Sequence, residues 1–326
     1  YDSILFPVLK QLAGSHAFGV DKPLFICQKE TENLFSEKSS FYPTMKENPW
    51  HDFSKDEERV DLVVFSHNRP LQLYAFLESS EKYLENLQRL YVIYRADNDH
   101  YEQGYHEVKK DFPSVIYIRQ SIRSPCEDFA PIVRKVVFNA AVSVARYVIF
   151  APDSFILKEP LDLDRSVRLL KETGAYGFYF FLGNHLKSHP IEKRIPIRKG
   201  VYGWQFSSMA GEWGGPNSIQ MTLFKKDDIR SDFLCMKFHN PNVLQALWNE
   251  SADLSGVGLY YDRSKAMSLS LHSALGNESG PERGSRISTK ESLSFFEQGL
   301  KMDITPLDRF ENQTIEIGFE PEFTKR

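Results

Sequence analysis

The fold is decided by the stretch ARYVIFAPDS at residues 145–154, in which the apolar run Tyr147–Ala151 stops at Pro152. Such a run predicts a short buried strand that delivers one carboxylate, Asp153, at its carboxyl end. A second apolar run, Phe155–Leu157, follows at once and predicts a tight turn around Asp153. Ligands of open α/β sheets bind at the carboxyl ends of strands, so we expect chemistry at this turn. An Asp after a strand is also a common turn or cap residue, and that structural role stays open.

Upstream of this stretch, predicted strands alternate with predicted helices. The near-continuous apolar run Val60–Phe65 indicates a strand covered on both faces, and the helix after it begins at Pro70, where the missing N–H is harmless. Further strands are predicted at Leu90–Tyr94 and Val115–Ile118, and a long helix at Asp128–Ala145. This alternation predicts an α/β fold built from βαβ units, with a mostly parallel central sheet and flanking helices.

Composition excludes several classes of protein. The chain has 326 residues with 40 Lys plus Arg and 44 Asp plus Glu, a net charge of −4. This overall balance does not indicate a nucleic-acid partner, although local basic patches stay open. The three cysteines lie far apart and have neither metal-ligand nor redox spacing. No run of 18 apolar residues predicts a transmembrane segment, which favours a cytoplasmic or peripheral membrane location. Because the chain starts at Tyr1 rather than Met, a trimmed N-terminal signal or anchor stays open.

Motifs typical of several nucleotide-binding and hydrolase classes are missing from the sequence. No Gly-x-Gly-x-x-Gly follows the first predicted strand, which disfavours a dinucleotide oxidoreductase, and no Gly-x-Ser-x-Gly elbow indicates a serine hydrolase. The stretch GPERGS at 280–285 lacks phosphate-loop spacing, so kinase or NTPase chemistry has no support. A nucleotidyltransferase on a related sheet is a weaker alternative, since it would need a Gly-rich phosphate loop after the first strand and Ser66–Pro70 does not supply one.

Three motifs occur in a characteristic order: VVFSHNRP at 63–70, KVVFN at 135–139 and IFAPDS at 149–154. Their order and spacing resemble nucleotide-sugar glycosyltransferases of the GT-A fold, in particular bacterial, family-two-like members. Later stretches are similar to motifs of that bacterial group, namely Trp204-Gln-Phe, Gly211-Glu-Trp and Asn240-Pro-Asn. The resemblance implies a Rossmann-like α/β domain of the GT-A type.

The same resemblance implies a division of the chain and an activity. Residues 1–58 would form an N-terminal extension, 59–160 the half that binds the nucleotide sugar, and 161–326 the acceptor-side half of the same domain with a C-terminal tail. The donor would be a UDP- or GDP-linked sugar. The enzyme would transfer its sugar to a hydroxyl group of a carbohydrate, lipid or protein acceptor.

The resemblance places the nucleotide sugar against polar residues of two strand-end turns and one helix. These residues are Ser66, His67, Asn68, Arg69, Arg95, Asp97, Asn98, Lys135 and Asn139. Structural roles stay open for several of them. Asn68 precedes a helix that it could cap, Arg69 could be solvated, and Lys135 lies on a predicted helix whose face could be solvated.

The resemblance also implies a divalent metal, Mn²⁺ or Mg²⁺, bound by Asp153 beside the pyrophosphate. A hard cation with oxygen ligands can stabilise the charge of a diphosphate leaving group. The family turn commonly has two carboxylates, whereas Pro152-Asp153-Ser154 has one, and acids expected near Gln220 and Gln245 are also replaced. A glycosyltransferase-like binding or interaction protein without catalysis is therefore the alternative to an active enzyme.

Glu212, between Gly211 and Trp213, is the candidate general base that would deprotonate the acceptor hydroxyl. Asp228 is an alternative base, although an acid just before a helix often caps it. Trp204 and Trp213 are candidates for an aromatic platform on which the acceptor sugar would stack, with a place in the core as the other interpretation.

Overall fold

The computed structural model describes residues 58–187, 194–208, 213–271 and 287–326. Its strands, in chain order, are β1 (Val60–His67), β2 (Leu84–Glu85), β3 (Leu87–Arg95), β4 (Ile116–Arg119), β5 (Tyr147–Pro152), β6 (Phe155–Leu157), β7 (Leu161–Asp162), β8 (Gly177–Tyr179), β9 (Ile195–Arg198), β10 (Val201–Gln205), β11 (Thr222–Lys225), β12 (Val257–Tyr261), β13 (Ala266–Ser270), β14 (Leu300–Met302), β15 (Glu316–Gly318) and β16 (Phe323–Lys325). Its α-helices are α1 (Pro70–Tyr83), α2 (Asp99–Asp111), α3 (Pro125–Phe138), α4 (Leu163–Thr173), α5 (Lys226–Cys235), α6 (Pro241–Glu250) and α7 (Thr289–Glu297). Within these ranges, no helix combines the length and apolar character needed to cross a bilayer.

The main sheet contains nine strands in the order β4-β3-β1-β5-β11-β8-β12-β10-β9. The pairings among β4, β3, β1 and β5 are parallel, whereas β11 and β10 are antiparallel to their neighbours. The other seven strands therefore run in one direction. The predicted α/β fold with a mostly parallel central sheet and flanking helices is confirmed.

Helices cover both faces of this sheet. The alternation of β1 shows the two layers: Leu62 and Val64 pack into a core formed with α1 and α2, whereas Val63 and Phe65 pack into a core formed with α3, α5 and α6. All four side chains are at most 4% exposed. A strand buried on both faces has this near-continuous apolar sequence, which is why β1 could be predicted.

The structure differs from the predicted elements in two places. Helix α3 ends at Phe138, not at Ala145, and the side-chain oxygen of the next residue, Asn139, accepts a hydrogen bond from the N–H of Ala141 at 2.9 Å. Such local bonds compete with helix continuation, so apolar spacing beyond this point does not extend the helix. No strand is predicted at 257–261, yet β12 pairs with β8 and β10 inside the main sheet.

Strand direction gives the sheet two edges with different contents. The carboxyl ends of β1, β3 and β5 meet at one edge, which we call the carboxyl edge, and their first residues lie at the opposite, amino edge. Because β11 is antiparallel to β5, with Thr222 beside Phe150 and Lys225 beside Tyr147, it begins near the carboxyl edge and ends at the amino edge. Helix α5 therefore starts at the amino edge.

Candidate functional site

Polar residues gather where β1, β3 and β5 end at the carboxyl edge. They form what we call the strand-end site: Ser66, His67, Asn68 and Arg69 from β1 and its turn, Arg95 and Asp97 from β3 and its turn, and Asp153 after β5. Parallel pairing sets Ser66 beside Tyr94 and His67 beside Arg95, which brings the first two turns together. The sequence analysis named each of these residues, and the structure assembles them at one edge of the sheet.

Asp97 organises the more exposed part of this site. Its carboxylate lies 2.9 Å from His67 Nε2 and accepts hydrogen bonds from Asn68 Nδ2 at 2.8 Å and Arg95 Nε at 2.7 Å. Burial acts to raise the pKa of Asp97, but the bonds from His67, Asn68 and Arg95 outweigh it and hold this pKa below its ordinary value. An ionised Asp97 thus orients an imidazole, an amide and a guanidinium at a solvent-accessible edge.

Tyr105 of helix α2 contacts the turn after β1, and the sequence analysis did not single out this residue. The buried Tyr105 hydroxyl lies 2.7 Å from Ser66 Oγ and accepts a hydrogen bond from the Arg69 N–H at 3.1 Å. Helical spacing from Tyr101 indicates a core position but not these polar contacts. Asn98 has a structural role at the start of the same helix, where its side-chain oxygen caps α2 by accepting from the Tyr101 N–H at 3.1 Å.

Asp153 forms the buried part of the site. It is 3% exposed, and its Oδ1 atom lies 3.5 Å from a terminal nitrogen of Arg69. Its Oδ2 atom has no hydrogen-bond partner among the described residues. Burial raises the pKa of Asp153, and the neighbouring Arg69 guanidinium opposes that rise. Ser66 and His67 also favour the charged form of Asp153, but burial outweighs them and Arg69 together.

The chain itself supplies few donor atoms for a divalent metal at this turn. Mg²⁺ at a phosphate-binding site is held by one or two carboxylates, and substrate phosphates and waters complete its oxygen ligands. Asp153 is the turn's single carboxylate, Pro152 offers no side-chain donor, and Ser154 Oγ lies 3.2 Å from Ser268 Oγ. No group of three His, Cys, Asp or Glu side chains suited to a metal occurs in the described part of the chain. The cation next to Asp153 is instead Arg69.

Two predicted nucleotide-sugar contacts lie away from this site. Lys135 is exposed near the end of α3, and Asn139 follows that helix. Since α3 runs from the carboxyl end of β4 back to the start of β5, its last turn lies at the amino edge. The contact of the Val142 carbonyl with Arg89, near the start of β3, agrees with this placement. The structure does not bring Lys135 or Asn139 to the strand-end site.

The candidate bases have different outcomes. Glu212 lies outside the described residues. Asp228 lies in the first turn of α5, and the preceding Lys226 donates from Nζ to Asp61 Oδ2 at 2.7 Å, next to the first residue of β1. Asp228 is therefore at the amino edge, opposite Asp153. This correction follows from the antiparallel direction of β11, which the sequence does not reveal.

The predicted aromatic platform is part of the core. Trp204 is 0% exposed and Trp213 is 1% exposed, with their ring centroids 5.2 Å apart. Trp204 Nε1 donates to the Trp213 carbonyl at 2.7 Å, and Tyr260 packs against both rings. Neither indole has a face on which an acceptor sugar could stack, so the core interpretation applies to both.

No protein-family model matches the sequence, and no curated protein does. Among solved structures, the chain is similar to S. aureus TarS 1-349, with 9% identity over 64% of this chain and 60% of that one and a TM-score of 0.44. The same protein in complex with UDP gives 10% identity, coverage of 64% and 59%, and a TM-score of 0.44. A 4-diphosphocytidyl-2C-methyl-D-erythritol synthase gives 14% identity, coverage of 58% and 85%, and a TM-score of 0.33. The chain thus spans about three fifths of each TarS chain.

Proposed function

We propose that this protein transfers a sugar from a nucleoside diphosphate sugar, UDP- or GDP-linked, to a hydroxyl acceptor. The observation that carries the proposal is the strand-end site itself, where seven predicted polar residues converge at the carboxyl ends of three adjacent parallel strands. This is the edge at which α/β sheets bind ligands. The paired side chains of Asn68 and Asp97 suit the polar groups of a base or ribose, and the nearby arginines suit a diphosphate.

The reaction has a defined balance of bonds. The acceptor oxygen forms a bond to the anomeric carbon, the bond from that carbon to the β-phosphate oxygen breaks, and its electron pair leaves with the nucleoside diphosphate. The hydroxyl proton passes to a general base, for which Glu212 is the candidate. No step of the proposal runs through the metal expected at Asp153, since Asp153 is the single carboxylate of its turn.

The test is release of nucleoside diphosphate from a panel of UDP- and GDP-sugars, with and without hydroxyl acceptors. We expect turnover by the wild-type chain and, because Asp153 lies in the site, a loss of at least about 100-fold in Asp153→Asn. Asp164→Asn is the matched control because Asp164 is an exposed acid on α4. Equal turnover in the wild type and Asp153→Asn would remove the strand-end site from catalysis.

A second candidate function, binding of a sugar nucleotide without transfer, is favoured by one observation. The Gln245 side chain accepts a hydrogen bond from the Ile219 N–H at 2.8 Å and donates one to the Asn217 carbonyl at 2.8 Å. Gln245 thereby stabilises the segment that precedes β11. This segment lies near the carboxyl edge, where the resemblance would place an acid. A neutral amide cannot accept the acceptor proton there. Nucleotide binding without turnover of any donor would support this candidate over the transferase.

A further inference from the structure

The Arg69 guanidinium is both anchored and accessible. A terminal nitrogen of this guanidinium lies 3.5 Å from Asp153 Oδ1, which gives an ion pair. The Arg69 side chain is 38% exposed, whereas that of Asp153 is 4% exposed. A guanidinium carries five N–H donors, and a single carboxylate oxygen engages only a minority of them. Arg69 therefore retains donors for a ligand at the carboxyl edge.

The backbone holds Arg69 in place independently of this ion pair. Its N–H donates to the Tyr105 hydroxyl, and its carbonyl accepts from Leu73 N–H at 3.0 Å in the first turn of α1. The preceding Asn68 N–H donates to the Arg95 carbonyl at 3.1 Å. The backbone from which the Arg69 side chain extends is thus held by β3, α1 and α2 together, and the guanidinium itself is oriented by Asp153.

We propose that Arg69, oriented by Asp153, binds the diphosphate of the donor directly, so that nucleotide binding needs no divalent metal. This inference rests on the proposed function and adds the source of positive charge. Its structural basis is that the turn after β5 offers one buried carboxylate and an arginine partner in place of a set of metal ligands. The role of Asp153 is then to position Arg69.

The chemistry of the guanidinium suits this task. Arginine stays charged at any physiological pH, and its planar fork of donors matches two oxygens of a phosphate. A fixed cation at a partly buried site stabilises charge that develops on the leaving diphosphate. Arg95, whose Nε donates to Asp97 Oδ1 at 2.7 Å, supplies a second oriented cation at the neighbouring strand end.

The experiment is a calorimetric titration of the full chain with uridine diphosphate and with guanosine diphosphate, in EDTA and then in Mn²⁺ or Mg²⁺. We expect one of the nucleotides to bind with dissociation constants that agree within about twofold in the two conditions. Arg69→Met should weaken binding at least about tenfold in both, because charge-assisted bonds to phosphate are lost. Arg168→Met, at an exposed arginine on α4, is the matched control and should bind as the wild type does.

Two further variants separate charge from orientation. Arg69→Lys keeps the charge without the fork, so it should bind between the wild type and Arg69→Met. Asp153→Asn leaves the Arg69 charge in place but removes the carboxylate that orients it. Binding should therefore weaken, while the salt dependence of binding stays that of the wild type. Arg69→Met removes the charge and should reduce this salt dependence. A purely structural role of Asp153 would instead reduce affinity only in proportion to unfolded protein, which thermal unfolding of each variant measures.

The outcomes distinguish this inference from the proposed function. Binding by the wild type that needs Mn²⁺ or Mg²⁺, or unchanged affinity in Arg69→Met, overturns the role of Arg69 and leaves a nucleotide site standing. Failure of both nucleotides to bind in any condition overturns the proposed function, and the inference with it. Metal-independent binding that Arg69→Met abolishes supports both.

Discussion

Gly104 in α2 lies so close to Pro70, the first residue of α1, that a β-carbon at position 104 would come within 2.7 Å of Pro70 Cγ. A hydrogen atom in place of a side chain therefore allows α2 to pack against the start of α1. Pro70 directly follows Arg69, so a displacement of Pro70 would also move the backbone next to the strand-end site. Packing between two helices and the position of the candidate site are thus coupled through one glycine.

Gly104→Ala is expected to lower both stability and nucleotide affinity. The new methyl group must displace Pro70 or the neighbouring Leu293, and overpacking of this kind costs about 1–3 kcal/mol of unfolding free energy. Gly215→Ala is the control because its β-carbon would meet only Asn249 Oδ1 at 4.0 Å, and it should stay within about 0.5 kcal/mol of the wild type. Chemical denaturation measures the stability of the two variants, and titration with nucleoside diphosphate measures their affinity. Equal stability and equal affinity of the two variants would contradict the coupling.

Substitutions of Asn68 should separate backbone strain from hydrogen bonding. Asn68 has φ of 57°, in the left-handed region, and its side chain donates to Asp97 Oδ2 while accepting from the Asp97 N–H at 3.0 Å. Asn68→Gly and Asn68→Ala lose the same hydrogen bonds, so both should weaken nucleotide binding. Asn68→Ala alone has the left-handed penalty and should be less stable than Asn68→Gly by about 1 kcal/mol. A more stable alanine variant would refute this assignment of strain.

Asp153→Asn should lower stability little or not at all while it weakens binding. Burial raises the pKa of Asp153, which means that ionisation of this side chain is less favourable in the folded than in the unfolded chain. An amide of the same shape removes the buried charge, so the free energy of unfolding at pH 7 should not fall by more than about 1 kcal/mol. Denaturant titration checks this expectation. A large loss of stability would show that the ionised pair with Arg69 is chiefly structural.

Lys158 should make stability rise with pH in the alkaline range. It is 0% exposed, its Nζ donates to the Phe310 carbonyl at 2.6 Å, and burial lowers its pKa from 10.5 to about 8 despite the nearby Glu159. Between these two pKa values the unfolded chain binds a proton that the folded chain has lost, so stability increases with pH, by about 2 kcal/mol from pH 8 to 10.

The comparison with Lys158→Met isolates this effect. The variant lacks the titrating amine, so its stability relative to the wild type should fall by that amount over the same pH range. Tyrosines that ionise near pH 10 are common to both proteins and cancel in the difference. Denaturation curves recorded at several pH values provide the measurement, and parallel pH profiles of the two proteins would show that the Lys158 pKa is not lowered.

The strand ends could be predicted because a strand that is buried on both faces has an almost continuous apolar sequence. The runs at β1 and β5 are almost wholly apolar, and each stops at polar residues, which located Asn68, Arg69 and Asp153. Parallel pairing then brings these turns together without any information about side-chain contacts. The contact of Arg69 with Asp153 depends on tertiary geometry, and so does the support from Tyr105.

Strand direction explains the displacement of Asp228. Alternating strands and helices favour a parallel sheet, but β11 enters between β5 and β8 in the opposite direction. That reversal moves α5 and Asp228 to the amino edge. Trp204 and Trp213 could not be assigned to the core from the sequence, because an aromatic residue next to a glycine has the same pattern whether it faces a ligand or the core.

The most direct test of the account compares uridine with uridine diphosphate, and guanosine with guanosine diphosphate, in titrations of the wild type and Arg69→Met. The strand-end site predicts that the diphosphate increases affinity of the preferred nucleoside at least about tenfold in the wild type, through charge-assisted hydrogen bonds. In Arg69→Met this increment should largely disappear, while the affinity for the nucleoside itself stays the same. An equal increment in both proteins, or no binding of any of the four ligands, would contradict the account.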